Sequence, residues 1–267
     1  MHSADTVERI SQCGMIAILR LPGTEEVMPA AQAVLAGGIT VIEFTQNAFN
    51  LLRGLPERSR LEQGALLGVG TVLTVDAARD AVRSGAQFLS APTVNPDVVR
   101  VGMDAGIPVF PGAVTPTEIV RAWEAGAVLV KVVPGGPLGP AYIRDLRRPL
   151  PYISLMPTGG VTLETAPAYI HAGAVAVGVG RDLIPRDLLE RRAFGEITDR
   201  ARKFVSAIAV ARNTARSRGF RLNRREDPRL ASRPIRPAAS VSSSPEQTVT
   251  VFRSLVRAEK ESRGIHI

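Results

Sequence analysis

Lysine is the scarce residue of this chain. Thirty-three residues are basic, yet only Lys131, Lys203 and Lys260 are lysines. Everything before residue 203 therefore holds a single side-chain amine. Cysteine is rarer still: Cys13 stands alone, so no internal disulfide can form, which fits a reducing cytoplasm. The three histidines, His2, His171 and His266, are far apart, and no HxH, HExxH or paired CxxC occurs. That excludes the usual catalytic zinc patterns, so no metal and no cofactor is expected. Aromatic residues make up 4% against 45% apolar ones, so the core must be aliphatic. No apolar run approaches the roughly 20 residues that span a bilayer. The first residues include Asp5 and Glu8 and lack the apolar centre of a signal peptide. A cytoplasmic protein that does not contact a membrane is expected.

The net charge of +8 is unevenly placed. Residues 213–267 hold twelve Lys/Arg and five Asp/Glu, whereas residues 1–212 hold twenty-one and twenty. The basicity belongs to the last segment. Ser232-Arg233-Pro234-Ile235-Arg236-Pro237 and Ser242-Ser243-Ser244-Pro245 read there as disorder, with a short apolar helical face near 247–260. A nucleic-acid role for this tail would call for aromatics interleaved throughout its basic residues, and the segment holds only Phe220 and Phe252. Two regions are expected: a domain over 1–212 and a mostly disordered basic tail over 213–267.

The one lysine of the first 202 residues lies in the stretch least suited to it. Val128-Leu129-Val130-Lys131-Val132-Val133-Pro134 reads as a buried strand, bounded by Gly126 and by Gly135-Gly136. Burying an ammonium is costly, and a buried amine that sheds its proton becomes a nucleophile toward carbonyls. The plainer reading is a lysine whose stem snorkels to the strand end.

Around it a βα unit repeats. Met15–Leu19, Thr40–Phe44, Leu66–Gly70, Gln87–Ser90, Ile107–Phe110, the lysine strand, Tyr152–Met156 and Ala174–Gly178 read as eight strands. They are spaced about 20 to 26 residues apart with helical patterns between them. Thr24, Thr74, Asn95 and Thr115 open helices, and the one after the second strand runs to about Arg60. Ala36-Gly37-Gly38, Ser84-Gly85-Ala86, Ala125-Gly126-Ala127 and Ala172-Gly173-Ala174 close helices. The expected fold is α/β: a single (β/α)8 TIM barrel with a short leading helix over residues 5–12, an open doubly wound sheet being the alternative.

In such a barrel the C-terminal strand ends build the active site. Arg20, Glu43, Thr45, Asn47, Thr71, Ser90, Lys131, Thr158 and Arg181 fall there, and only Glu43 is an acid. A structural Glu43–Arg20 ion pair is the competing reading of that carboxylate. Strand seven ends in Pro157-Thr158-Gly159-Gly160-Val161 and strand eight in Gly178-Val179-Gly180-Arg181, each before a helix. Glycine backbone and helix N-termini at these two loops suit a phosphate, with Arg181 adding charge. An imine-forming lysine, one carboxylate to move protons and a phosphate cradle together describe a metal-free aldolase acting on a phosphorylated keto acid or keto sugar.

Several ordered motifs resemble one family over about Met15 to Phe204. They are Ile16-Ala17-Ile18-Leu19-Arg20, Ile42-Glu43, Gly70-Thr71-Val72-Leu73, Phe110-Pro111-Gly112 with Thr115-Pro116-Thr117-Glu118, Val130-Lys131 with Pro134-Gly135, Gly139-Pro140 with Tyr142-Ile143, Pro157-Thr158-Gly159-Gly160-Val161 and Val177-Gly178-Val179-Gly180. The chain resembles the bacterial 2-keto-3-deoxy-6-phosphogluconate (KDPG) and 4-hydroxy-2-oxoglutarate (KHG) aldolases and their phosphogalactonate relatives. The resemblance implies Lys131 as the Schiff-base lysine and Glu43 as general acid/base. It implies Arg20 and Thr71 around the pyruvate carboxylate, and Pro92 lining the site. Gly159, Gly160 and the Gly178, Gly180 and Arg181 turn fall at the phosphate end. It also implies a homotrimer and no metal.

The departures bear on the substrate. Asn47 stands where gluconate-type enzymes often carry an arginine, as in galactonate-type relatives, whereas Thr158 resembles the gluconate type. Val133 replaces a frequent phenylalanine and Arg181 a frequent serine. The expected reaction is cleavage of KDPG to pyruvate and D-glyceraldehyde 3-phosphate. The galactonate epimer and 4-hydroxy-2-oxoglutarate are alternative substrates, and a non-catalytic phosphate-ligand binder is the alternative of another class.

Overall fold

The computed structural model describes residues 3–21, 23, 25–52, 55 and 57–217. The chain divides into two units, Met1–Asp227 and Pro228–Ile267. The second lies outside the described residues, as do Thr24, the short helix expected near 247–260 and nearly all of the 213–267 tail.

Among the described residues the strands are β1 (Met15–Leu19), β2 (Val41–Thr45), β3 (Leu66–Gly70), β4 (Phe88–Ser90), β5 (Val109–Phe110), β6 (Gly112–Ala113), β7 (Val130–Val132), β8 (Leu155–Pro157) and β9 (Val177–Val179). Each described pairing between them is parallel. They form a six-stranded sheet in the order β5-β4-β3-β2-β1-β9 and a three-stranded sheet in the order β6-β7-β8. The architecture is α/β on parallel sheet. Where one fifth strand was expected, β5 and β6 stand on either side of Pro111, which has no N–H to give to a ladder. A parallel bridge between Thr158 and Gly178 links the end of β8 to β9.

Parallel strands are buried on both faces, and here the two faces separate cleanly by parity. Ile16, Ile18, Val41, Leu66, Phe88, Phe110, Leu129, Met156 and Ala176 form one apolar cluster, joined by Ile10 from the leading helix Ser3–Cys13. Ala17, Leu19, Ile42, Phe44, Leu67, Val69, Val130, Val132, Leu155 and Val177 belong to a second, larger cluster shared with the helices. The last two strands are displaced from the apolar runs that suggested them. Val175 and Ala176, for instance, are buried in the first cluster yet precede β9. Burial makes a run apolar whether or not its backbone pairs.

The helices begin largely where the caps placed them. Thr74 Oγ1 accepts from Ala77 N at 3.2 Å, and Asn95 Oδ1 from Asp97 N at 3.0 Å. The repeated glycine steps end their helices in left-handed turns, with φ of +84° at Gly85 and +112° at Gly126. The segment after β2 is two helices, Gln46–Leu52 and Arg58–Gly64, rather than one. The sequence between them contains Gly54 and Pro56, both helix breakers. A 24-residue helix, Phe194–Ser217, carries the chain past residue 212. Arg212 on it donates to Gln12 O at 2.7 Å and Val175 O at 2.9 Å, tying it to the leading helix and to the approach to β9.

Helix Pro116–Glu124 starts with a full capping box. Thr115 Oγ1 accepts from Glu118 N at 3.3 Å, while Glu118 Oε2 accepts from Thr115 N at 2.8 Å and Val114 N at 3.0 Å. The Thr115 and then the Val114 backbone bonds hold the Glu118 carboxyl below its ordinary value of 4.5. A lowered folded-state value stabilises the fold above the unfolded value, and the gain is lost as pH falls through the folded one. Glu118→Gln keeps the box but not the charge. It should therefore be less stable than the parent at neutral pH, and the two urea midpoints should converge well below 4.5. Midpoints that differ equally at both pH values would show that the charge contributes nothing.

Candidate active site

Lys131 continues the row of the first cluster by one step, two residues after Leu129. Glu43, Ser90 and Thr158 do the same after Val41, Phe88 and Met156. All four are buried, Lys131 at 6% exposure and Glu43 at 3%. Lys131 Nζ lies 3.1 Å from Glu43 Oε1, 3.2 Å from Oε2 and 2.6 Å from Ser90 Oγ. An ammonium has three donors, and three acceptor atoms are present. That satisfaction is what lets a charged pair persist where each ion alone would lose several kcal/mol, on the order of 20 by Born arithmetic, on leaving water.

Space for these polar groups comes from missing side chains. Gly68, Gly70, Gly112 and Gly178 share the inward parity. A Cβ on Gly70 would collide with the Glu43 carboxylate, and one on Gly178 with the Thr158 hydroxyl. On Gly68 it would collide with the Phe88 ring, which packs against Phe110 at 5.4 Å between centroids.

The other candidates occupy the strand C-terminal ends. Arg20 is exposed immediately after β1, and Asn47 is exposed on the helix after β2. Thr71 follows β3 with φ of +62°, a backbone conformation that side-chain-bearing residues avoid outside constrained sites. Pro92 is exposed after β4. None of these four touches Lys131 or Glu43 through a described hydrogen bond.

The loops after β7 and β8 are bound to each other. Gly135 N donates to Thr158 O and Gly136 N to Gly159 O, both at 2.7 Å, and the Tyr169 hydroxyl donates to Gly135 O at 2.9 Å. Burial pushes the Tyr169 hydroxyl up, which keeps it a donor. A Cβ on Gly136 would sit 2.8 Å from Gly160 Cα, so the approach needs glycine. Gly159 and Gly160 both have positive φ, +81° and +79°. Among the described residues the N–H groups of Gly160 and Arg181 meet no hydrogen-bond acceptor. These are free donors of the kind an anion takes up. Gly180 lies beside Arg181 on this rim, whereas Gly178 is buried against Thr158 and gives room rather than contact.

Asp182 was not among the expected site residues. Its Oδ2 accepts from Leu163 N at 3.0 Å, joining the loops after β8 and β9, while Arg200 Nε donates to its carbonyl at 2.8 Å. In the sequence Ser90 is one of several polar strand ends, and its parity with Phe88 is the signal that it faces Lys131. A groove of about 430 Å³ lies elsewhere, lined by Pro185, Leu188, Arg191, Arg200 and Lys203 among others. Arg191 pairs there with Asp187 and Glu196, so its charges are largely answered from within.

Three comparisons bear on this site. The family described as KDPG and KHG aldolase matches residues 7–200. A 2-dehydro-3-deoxy-phosphogluconate aldolase of Treponema pallidum (strain Nichols) is 32% identical over 205 residues, covering 76% of this chain and 97% of its own. A 2-dehydro-3-deoxy-6-phosphogalactonate aldolase of Escherichia coli (strain K12) is 34% identical over 171 residues, 63% of this chain and 83% of its own. Among solved structures, one described as native KDPGal is similar with a TM-score of 0.64 and 30% identity, covering 76% of this chain and 96% of that one.

The buried pair makes a stability prediction independent of substrate. Lys131→Met leaves the Glu43 carboxylate buried without its counter-charge and should cost about 3–5 kcal/mol. Adding Glu43→Gln should recover most of that loss. Urea denaturation of the parent and both variants checks it, and equal stability of the single and double variants would contradict the pairing.

Proposed function

Because the chain belongs to the KDPG and KHG aldolase family, we propose that it is a Schiff-base aldolase reversibly cleaving 2-keto-3-deoxy-6-phosphogluconate to pyruvate and D-glyceraldehyde 3-phosphate. The observation that carries this reading is the Lys131 amine in contact with the Glu43 carboxylate, both buried at the strand ends. The neutral amine adds to the keto carbon, and the carbinolamine loses water with a proton supplied by Glu43. The resulting iminium draws electrons from the bond between the α-carbon and the hydroxyl-bearing β-carbon. Glu43, again a carboxylate, takes the proton of the departing hydroxyl as the aldehyde forms. The enamine left on Lys131 then regains a proton at carbon, and water releases pyruvate. The imine is the electron sink, so this route needs no metal ion.

On this reading Arg20, Asn47, Thr71, Pro92 and Thr158 surround the keto-acid end. Gly159, Gly160, Gly180 and Arg181 form the phosphate end, where the unengaged N–H groups of Gly160 and Arg181 and the Arg181 guanidinium hold the anion. The strand set is read as one closed (β/α)8 barrel over residues 1–212. Two observations support closure: Pro111 alone separates β5 from β6, and the Thr158–Gly178 bridge spans the two sheets. A homotrimeric assembly and a cytoplasmic location come with the family likeness. The basic segment that follows helix Phe194–Ser217 is read, on its composition, as an appendage outside the catalytic unit.

A second substrate reading, the galactonate epimer, is favoured by Asn47 and by the 34% identity to a phosphogalactonate aldolase. Cleavage rates on the two epimers separate the readings. The gluconate epimer should be cleaved faster, and the reverse order assigns the chain to the other substrate.

The chemistry itself is tested by borohydride reduction with pyruvate. A single pyruvyl adduct is expected on Lys131, abolished in Lys131→Ala. No adduct, or one spread over Lys203, Lys260 and the N-terminus, would leave a non-catalytic binder of phosphorylated ligands.

A further inference from the structure

Ser90 has no part in the chemistry set out above, yet its hydroxyl is the atom nearest the amine. It is fully buried, and its Oγ lies 2.6 Å from Lys131 Nζ, closer than either Glu43 oxygen. No other described hydrogen bond engages that hydroxyl. Its neighbours on β4, Phe88 and Leu89, are buried apolar residues, so a serine here is out of keeping with its strand unless the hydroxyl has a use. A buried hydroxyl is costly without a partner, and its described partner is the reacting nitrogen.

The number of hydrogens on that nitrogen changes through the reaction. The ammonium has three, matched by the two Glu43 oxygens and Ser90 Oγ. On condensation the nitrogen–carbon bond forms, the carbonyl oxygen leaves as water, and the protonated imine keeps one N–H and a positive charge. One donor then faces acceptors on two residues. If Glu43 takes it, the carboxylate is tied to the imine nitrogen just when it must remove a proton from substrate. If Ser90 takes it, Glu43 is released. Ser90 is neutral, nearer and without another task.

We infer that Ser90 is a positioning residue that accepts the single N–H of the Lys131 imine and so frees Glu43 to act as the base. The inference deepens the aldolase reading and rests on it. Imine formation needs only the amine and a proton source. Deprotonation of the imine needs a free Glu43. The two steps should therefore respond differently to loss of the hydroxyl.

The test measures both steps with pyruvate alone: borohydride trapping of the Lys131 adduct, and exchange of the pyruvate methyl hydrogens with solvent deuterium followed by NMR. Ser90→Ala should still give the trapped adduct on Lys131. Its exchange rate at saturating pyruvate should fall by about 100-fold, the scale of a misplaced catalytic group, with little change in KM. Ser90→Thr, which keeps the hydroxyl, should restore exchange to near the parent rate. Ser90→Cys, near in size and a weak acceptor, carries the same test if Ser90→Ala does not fold. Trapping and exchange that fall in proportion, exchange that does not fall at all, or a folded Ser90→Thr that fails to restore it would each overturn the inference. Absence of any Lys131 adduct in the parent protein would instead overturn the aldolase reading itself.

Discussion

A single amine with three acceptors around it is the constraint on which this structure turns. A charge can be kept in a dry interior only if the geometry around it is complete. Here Glu43 contributes two oxygens from β2 and Ser90 one from β4, while the amine comes from β7. Strands from both sheets must therefore hold their register for the site to exist. β2 and β4 meet through β3, where Glu43 lies opposite Gly68, and Gly68 in turn opposite Phe88. Lys131 is fixed by pairing with Gly112 on one side and Met156 on the other. A one-residue slip of any of these strands would turn its polar group toward the helices and leave the others unpaired.

The same layer explains why glycine recurs at inward positions. The apolar row below is filled by large side chains: Leu66, Phe88, Phe110, Leu129 and Met156. One step toward the strand C-termini, Gly68, Gly112 and Gly178 alternate with Glu43, Ser90, Lys131 and Thr158. Filling that layer with Cβ atoms would press on the Phe88 ring, Thr158 or the Pro92 backbone. The packed row supplies rigidity and excludes water from below, and the glycine-rich row supplies room above it. Dryness and space come from adjacent turns of the same alternation.

Much of this was legible in the sequence. The isolation of Lys131 in an apolar run, the single acid among the strand ends and the Gly159-Gly160 and Gly180-Arg181 steps needed only composition and spacing. Caps at Thr74, Asn95 and Thr115 were local signals, and they fell where the helices begin. What escaped the sequence was whatever depends on pairing or on partners distant along the chain. Apolar runs around β8 and β9 begin before the paired strands do, because a buried loop and a buried strand look alike in hydropathy. The break at Pro111 divides one run between two sheets. Asp182 looked like an ordinary loop acid, since Leu163 and Arg200 lie 18 or more residues away. Helix Phe194–Ser217 carries Arg and Lys on its outer positions and so did not stand out from the basic segment after it.

Arginine placement extends the argument beyond the pocket. Most surface arginines of the described helices are answered one turn away, as in Arg79–Asp76, Arg100–Asp97, Arg186–Glu190 and Arg202–Asp199. Such pairs contribute little stability, but they cancel charge over the flanks. Arg20 and Arg181, at the ends of β1 and β9, have no acidic partner among the described residues, and β1 pairs with β9. Two uncancelled guanidiniums therefore lie on neighbouring strand ends while the body as a whole, residues 1–212, is nearly neutral. Field from such a rim attracts anions to the mouth without raising their affinity elsewhere. A keto acid carrying both a carboxylate and a phosphate responds to it more strongly than either fragment produced by cleavage, because the intact substrate bears both charges. Release of pyruvate and of a phosphorylated aldehyde is easier for the same reason, each leaving with only part of the attraction that drew the substrate in.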